Sequence, residues 1–155
     1  YKGIAEQLSR YLFIFNGTQV LGSLAMLGLA SYLVARRGPI LIMAWAVLAG
    51  LLGVVLFDGW LGLIFAVVLG LATCIQLILT VALVPQISST REAAPLAAGM
   101  FMVGYLLGFV IPLLGGLAAD WLQQPLLTFL PLILLAAVAV FISHLSKDLT
   151  AAFSR

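Results

Sequence analysis

The chain has 155 residues, of which 65% are hydrophobic and 8% charged, with a formal net charge of +2. Its mean hydropathy is +1.27, whereas a soluble domain is about half apolar and about a quarter charged. This composition excludes a soluble globular domain, and the few basic residues form no stripe that would bind nucleic acid.

The charged residues divide the chain into long uncharged segments. These segments separate Arg10 from Arg36, Arg37 from Asp58, Asp58 from Arg91, Glu92 from Asp120, and Asp120 from Lys147, and each has at least 20 residues. At about 1.5 Å per helical residue, each segment can cross the ~30 Å apolar core of a bilayer. The runs are continuously apolar, which favours helices over barrel strands. We predict an all-α polytopic membrane helix bundle, with transmembrane helices at about 11–35, 39–57, 60–87, 95–118 and 125–145.

The first ten residues, YKGIAEQLSR, are predicted to form an external loop that follows a missing helix. The chain does not begin with Met, and its first apolar run is too long for the core of a signal peptide. We therefore expect a fragment, with a five-helix membrane domain at 11–146 and a cytoplasmic tail at 147–155.

In the first span, Asn16, Gln19 and Ser23 follow the spacing of one helix face.

Basic residues give the orientation of the chain in the membrane. Alternation through five spans places five of them on one side (Arg36, Arg37, Arg91, Lys147 and Arg155) and two on the other (Lys2 and Arg10). The side richer in Lys and Arg is the cytoplasmic one, so we expect the chain to start outside and end in the cytoplasm. Arg36 and Arg37 would form a short cytoplasmic hairpin, with either a purely topogenic or a further gating role.

The third span has a second polar stripe, formed by Thr73, Gln76 and Thr80. By contrast, residues 40–57 contain no Ser, Thr, Asn or Gln, and residues 126–142 contain only Thr128. The two stripes can face a polar solute or can join helices to each other. Gln76 is the first candidate for a binding residue, because it lies near the middle of its span, where an unpartnered polar group is costliest.

No group of side chains has the composition of a catalytic or metal site. Cys74 lies within the third span, which suits an inert packing residue. His144 lies at the cytoplasmic end of the last span, which suits a helix-end or interfacial residue rather than a ligand. We therefore expect no metal, no cofactor and no enzymatic activity.

The fourth span has the features of a contact helix. Gly104 and Gly108 form a face of small residues that lets another helix approach, and Pro112 predicts a bend. Tyr105 carries the one hydroxyl in the middle of this span, and it can either pack or line a cavity.

The residues resemble those of the major facilitator superfamily. GLASYLVARRGP (28–39) is similar to the loop motif between the second and third helices of each six-helix half, although Tyr32 occupies the place of its usual Asp. The fourth span resembles the glycine and proline motif of that superfamily. The matching positions are Gly99, Gly108, Pro112, Gly115 and Gly116, and the glycine that normally precedes the proline is absent. FNGTQVLGSL (15–24) and residues 91–121 resemble the cyanate and nitroimidazole transporter branch, which consists of bacterial inner-membrane carriers.

The resemblance implies that the chain holds the eighth to twelfth helices of a secondary active transporter. Such a carrier would move a small polar or anionic solute by alternating access, together with the missing N-terminal half. The implied solute-binding residues are Asn16, Gln19, Thr73, Gln76 and Tyr105, and the implied gating or structural residues are Arg36, Arg37, Gly104, Gly108 and Pro112. The alternative is a structural or assembly subunit of a membrane complex, which has no substrate site of its own. The partners expected in either case include the lipid bilayer.

Overall fold

The computed structural model describes residues 2–34 and 36–153. It gives no side-chain description for residues 2–5, 7, 8, 37, 125, 126 and 146–153, so the side chains of Arg37 and Lys147 lie outside the described part, as does Arg155. The described chain forms the helices α1 (Lys2–Leu33), α2 (Arg37–Leu56), α3 (Gly59–Ile87), α4 (Ala93–Leu122) and α5 (Leu130–Phe153), with a 3₁₀ turn, Pro125–Phe129, before α5.

Each of these five helices contains a segment long and apolar enough to cross a membrane. The segments are Ser9–Leu33, Gly38–Leu56, Gly59–Ile87, Ala93–Leu122 and Leu127–Leu145. The prediction of an all-α polytopic membrane protein is therefore confirmed, and the predicted spans differ from these segments by a few residues at their ends.

Two stretches differ from the conformation predicted from the sequence. Residues 2–10 are helical and continuous with α1, where a loop was predicted. The polar residues in this stretch misled the prediction, because they lower hydropathy without breaking a helix. The fifth helix begins at Leu130, since Pro125 starts a 3₁₀ turn instead, and it continues to Phe153 through most of the predicted tail.

The turns follow from local chemistry. Pro39 and Pro95 lie in the first turns of α2 and α4, where the missing N–H has no helical acceptor. Gly59 begins α3 at a φ of 64°, which is a left-handed conformation that glycine adopts without a steric cost. The link between α2 and α3 can therefore be as short as Phe57 and Asp58.

The contacts between helices define their directions. Tyr11, near the start of the membrane segment of α1, lies at the start of α3, because its hydroxyl donates to the Gly59 carbonyl oxygen at 3.4 Å. Further along both helices, Gly22 of α1 packs on Cys74 of α3. In α2, Gly50 packs on Leu69 and Gly53 packs on Phe65. Thus α1 runs parallel to α3, and α2 runs antiparallel to it.

The remaining helices continue this alternation. Trp45, early in α2, donates to His144, late in α5, across 3.3 Å, and the end of α4 meets the 3₁₀ turn, where Gly115 contacts the Thr128 carbonyl. Consequently Arg36 and Arg91 lie at one end of the bundle. The other end, called the outer end below, carries Arg10, Asp58 and Asp120.

Helix α3 is the core of the bundle. Gly62, Ala66 and Gly70 are spaced by four residues and are all buried. A Cβ at Gly70 would meet the Thr18 hydroxyl and the Phe15 carbonyl of α1. Small residues on α3 therefore allow the backbones of α1 and α3 to approach closely, as is common between membrane helices.

Helix α4 is open. No residue is buried in the most apolar stretch of its membrane-spanning segment. A Cβ atom added at Gly104 or Gly108 would have no described atom within 4 Å. No helix of the described chain occupies the small-residue face that the sequence indicated. The helix continues unbroken through Pro112.

Candidate functional site

The polar stripes of α1 and α3 meet in the middle of the bundle. The Gln19 amide Nε2 donates to the Thr73 hydroxyl at 3.3 Å. That hydroxyl in turn donates to its own helix, at 2.8 Å from the Leu69 carbonyl oxygen and 3.1 Å from that of Gly70. Thr73 is thus both a donor and an acceptor, and the pair joins the two helices.

A second polar contact follows one turn further along α1. The Ser23 hydroxyl lies 3.0 Å from the Gln19 carbonyl oxygen and 3.1 Å from the Cys74 sulfur. The Cys74 side chain also lies 3.5 Å from the position of a Cβ on Gly22. Cys74 is therefore packed between α1 and α3.

Gln76 lies one turn after Thr73 on α3, and its side-chain oxygen is different from the other polar atoms of the stripe. The Oε1 atom is buried, and it has no hydrogen-bond partner among the described residues. The Thr80 hydroxyl donates to the main-chain oxygen of Gln76 at 2.7 Å, not to its amide. A buried acceptor without a partner costs about 1–3 kcal/mol.

The depth of this group is near the membrane midplane. Thr73 is the midpoint of α3, Gly59–Ile87, so it lies about 21 Å from either end of the helix. Gln19 lies close to the middle of its segment, Ser9–Leu33. We call Gln19, Thr73 and Gln76 the polar layer.

Two predicted binding residues lie outside the polar layer. The Asn16 amide donates to the Leu12 carbonyl oxygen of its own helix at 2.7 Å and is exposed. Tyr105 is 77% exposed and lines a cleft of about 280 Å³ between α3 and α4, together with Leu77, Phe101 and Gly104. The structure therefore joins two of the five predicted residues, Gln19 and Thr73, by a hydrogen bond, and Gln76 lies one turn further along α3.

The predicted gating residues are dispersed. Arg36 is exposed and has an extended backbone immediately before α2. Gly104, Gly108 and Pro112 all belong to α4, which has few contacts with α3.

Several contacts were not predicted from the sequence. One is the Trp45–His144 hydrogen bond, in which the rings meet edge to face with centroids 6.3 Å apart. Another is the Gly62, Ala66 and Gly70 surface, although its four-residue spacing was visible as a signal. Within the described residues, no three His, Cys, Asp or Glu side chains are close enough to hold a metal ion.

The fold and the polar layer define an integral, polytopic helical membrane protein. Comparisons with family models, with curated proteins and with solved structures found no match.

Proposed function

We propose that this chain is part of a secondary active transporter that moves a small polar or anionic solute across a bacterial inner membrane. The observation that carries the proposal is the buried Oε1 of Gln76, which has no hydrogen-bond partner among the described residues. An acceptor in this position lowers the stability of the free protein. A solute N–H or O–H group that reaches it as the helices move apart during alternating access would relieve that cost.

The distribution of polar residues supports the same function. Polar side chains meet near the midplane on α1 and α3, whereas residues 40–57, which hold most of α2, contain none of Ser, Thr, Asn or Gln. Carriers built from repeated halves bind their solutes near the midplane, at the interface between the halves. The resemblance of 28–39 and 91–121 to the major facilitator superfamily agrees with this role.

In the proposed mechanism, the solute donates a hydrogen bond to the side-chain oxygen of Gln76. This bond offsets the cost of burying that oxygen without a partner. Neutral amides suit a carrier, because they bind and release a solute without the cost of a buried charge. The open face of α4, with Gly104 and Gly108, would contact the N-terminal half as the two halves rock. Arg36 and Arg37 would lie at the cytoplasmic gate, which places the C-terminus in the cytoplasm.

One observation favours a second candidate, a structural subunit of a membrane complex. The Gln19 amide donates to the Thr73 hydroxyl, and such a bond is sufficient to join two helices. Interhelical hydrogen bonds of this kind contribute about 0.6 kcal/mol on average. The second candidate does not account for the unpartnered Gln76.

Transport by the purified full-length protein, with its N-terminal half, in proteoliposomes separates the two candidates. The branch resemblance suggests two labelled probes, 2-nitroimidazole, which has an N–H donor, and the anion cyanate. Counterflow of at least one probe should exceed that of protein-free liposomes, and Gln76→Ala should reduce it. Gln86→Ala is the matched control, because the Gln86 amide is exposed and donates to its own helix at the Ala82 carbonyl. Flux equal to that of protein-free liposomes for both probes would contradict the proposal.

A further inference from the structure

Two cavities adjoin at the outer end of the bundle. The first, of about 420 Å³, is lined by Arg10, Tyr11, Asp58, Gly59 and Leu63. The second, of about 560 Å³, extends between α1, α2, α3 and α5. Tyr11 and Asp58 line both cavities, so that the first is a polar mouth to the second.

The second cavity is apolar beyond its mouth. Phe15 of α1, Leu51 and Val54 of α2, Leu69 of α3 and Leu132 of α5 line it. From Gly59 to Leu69 the cavity wall extends about 15 Å along α3. This length is about half of the ~30 Å apolar core of a bilayer, which is the depth that one lipid acyl chain spans.

The polar mouth lies at the depth of lipid headgroups. The membrane segments of α1 and α3 begin at Ser9 and Gly59, immediately beside Arg10 and Asp58. Trp60 and Trp121, at the same end, are 83% and 90% exposed. Exposed tryptophans mark the interface between headgroups and acyl chains. The mouth thus faces headgroups while the interior faces acyl chains.

The mouth presents one cation and one anion that are not paired with each other. Arg10 makes an exposed ion pair with Glu6 at 3.4 Å. The Asp58 carboxylate does not cap α3, and it forms no ion pair or hydrogen bond with any described side chain. A ligand headgroup with both charges would complement this arrangement.

We propose that this space binds a zwitterionic glycerophospholipid whose headgroup carries a primary ammonium. Arg10 would contact the phosphate, Asp58 would accept hydrogen bonds from the ammonium, and one acyl chain would fill the apolar cavity. An anionic lipid without an ammonium would also place its phosphate at Arg10, but it would leave the Asp58 carboxylate without a cationic partner. The charged mouth is separate from the polar layer, since Tyr11 and Gln19 are about 12 Å apart along α1. The inner end of the cavity, at Phe15 and Leu69, lies one helical turn before Gln19 and Thr73.

The test is competition between two lipids with identical acyl chains. The purified, delipidated full chain is titrated with phosphatidylethanolamine and with phosphatidylglycerol, and bound lipid is counted by native mass spectrometry. Phosphatidylethanolamine should bind more tightly. Asp58→Asn should weaken its binding about tenfold, which corresponds to the loss of one charge-assisted hydrogen bond. Asp120→Asn, at the same end but away from both cavities, is the control and should bind like the parent.

Two further variants test the site independently of Asp58. Arg10→Gln should weaken both lipids, because both carry a phosphate. Val54→Phe should reduce both by filling the apolar cavity, whereas Leu56→Phe, at a position that is 70% exposed, should not. Equal binding of the two lipids to the parent would overturn the proposal. So would an Arg10→Gln or Asp58→Asn variant that binds phosphatidylethanolamine like the Asp120→Asn control.

Discussion

Replacing Gln76 with Met should make the protein more stable and impair solute binding. Met has nearly the same length and an unbranched chain, so it can occupy the space of the Gln side chain without a cavity or a new branch. It removes the buried Oε1 that has no partner among the described residues. Relief of that unpartnered acceptor amounts to about 1–3 kcal/mol, so we expect a gain in the free energy of unfolding of that order.

The assay is reversible unfolding in mixed detergent micelles, with the fraction folded followed by tryptophan fluorescence. The chain has three Trp residues, and none of them is changed. Gln86→Met serves as the control and should leave the free energy unchanged within about 0.5 kcal/mol, as expected for an exposed site. If Gln76→Met lowers the free energy of unfolding, the amide oxygen is hydrogen-bonded in the folded protein and the reasoning is refuted.

Two further predictions concern packing and orientation. Gly70→Ala should lower the free energy of unfolding by about 1–3 kcal/mol, as overpacking does, because the added methyl group meets α1. Gly104→Ala in the same unfolding assay should change this free energy by less than about 0.5 kcal/mol. Equal effects of the two substitutions would contradict the packing of α1 on α3. Cysteines placed at Arg36 or Arg91 in a Cys74→Ser background should react with impermeant thiol reagents only from the cytoplasmic side. Labelling of both from outside in intact cells would reverse the orientation.

The number and type of the helices could be predicted from the sequence because charge is so costly inside a bilayer. Each uncharged run long enough to cross a membrane was therefore predicted to be a helix. The structure places α1 to α5 on those runs. Helix ends were less predictable. Residues 2–10 are polar enough to suggest a loop, yet they contain no proline and continue α1.

The packing partners could not be predicted, because a small-residue pattern does not identify the helix that covers it. Gly104 with Gly108 and Gly62 with Gly70 both suit close approach, but only the latter pair is buried in the structure. The choice depends on the direction and neighbours of α3, which are properties of the whole bundle.

The polar layer, too, could be predicted from the sequence only in part. Helical spacing predicted which side chains of each stripe share a face, and the Gln19–Thr73 bond agrees with that. Spacing could not show that the two faces meet each other, or that the buried Oε1 of Gln76 has no hydrogen-bond partner among the described residues. Tyr105 was grouped with them by its depth, although it lines the α3–α4 cleft.

Equilibrium binding of the transported solute to Gln76→Ala tests most directly whether Gln76 is the solute's hydrogen-bond partner. The loss of one buried hydrogen bond predicts an affinity lower by about 1–3 kcal/mol, or roughly 5- to 150-fold, with Gln86→Ala equal to the parent. If purified Gln76→Ala protein binds the solute as tightly as the parent does, Gln76 is a packing residue and the solute-binding role assigned to the polar layer is wrong.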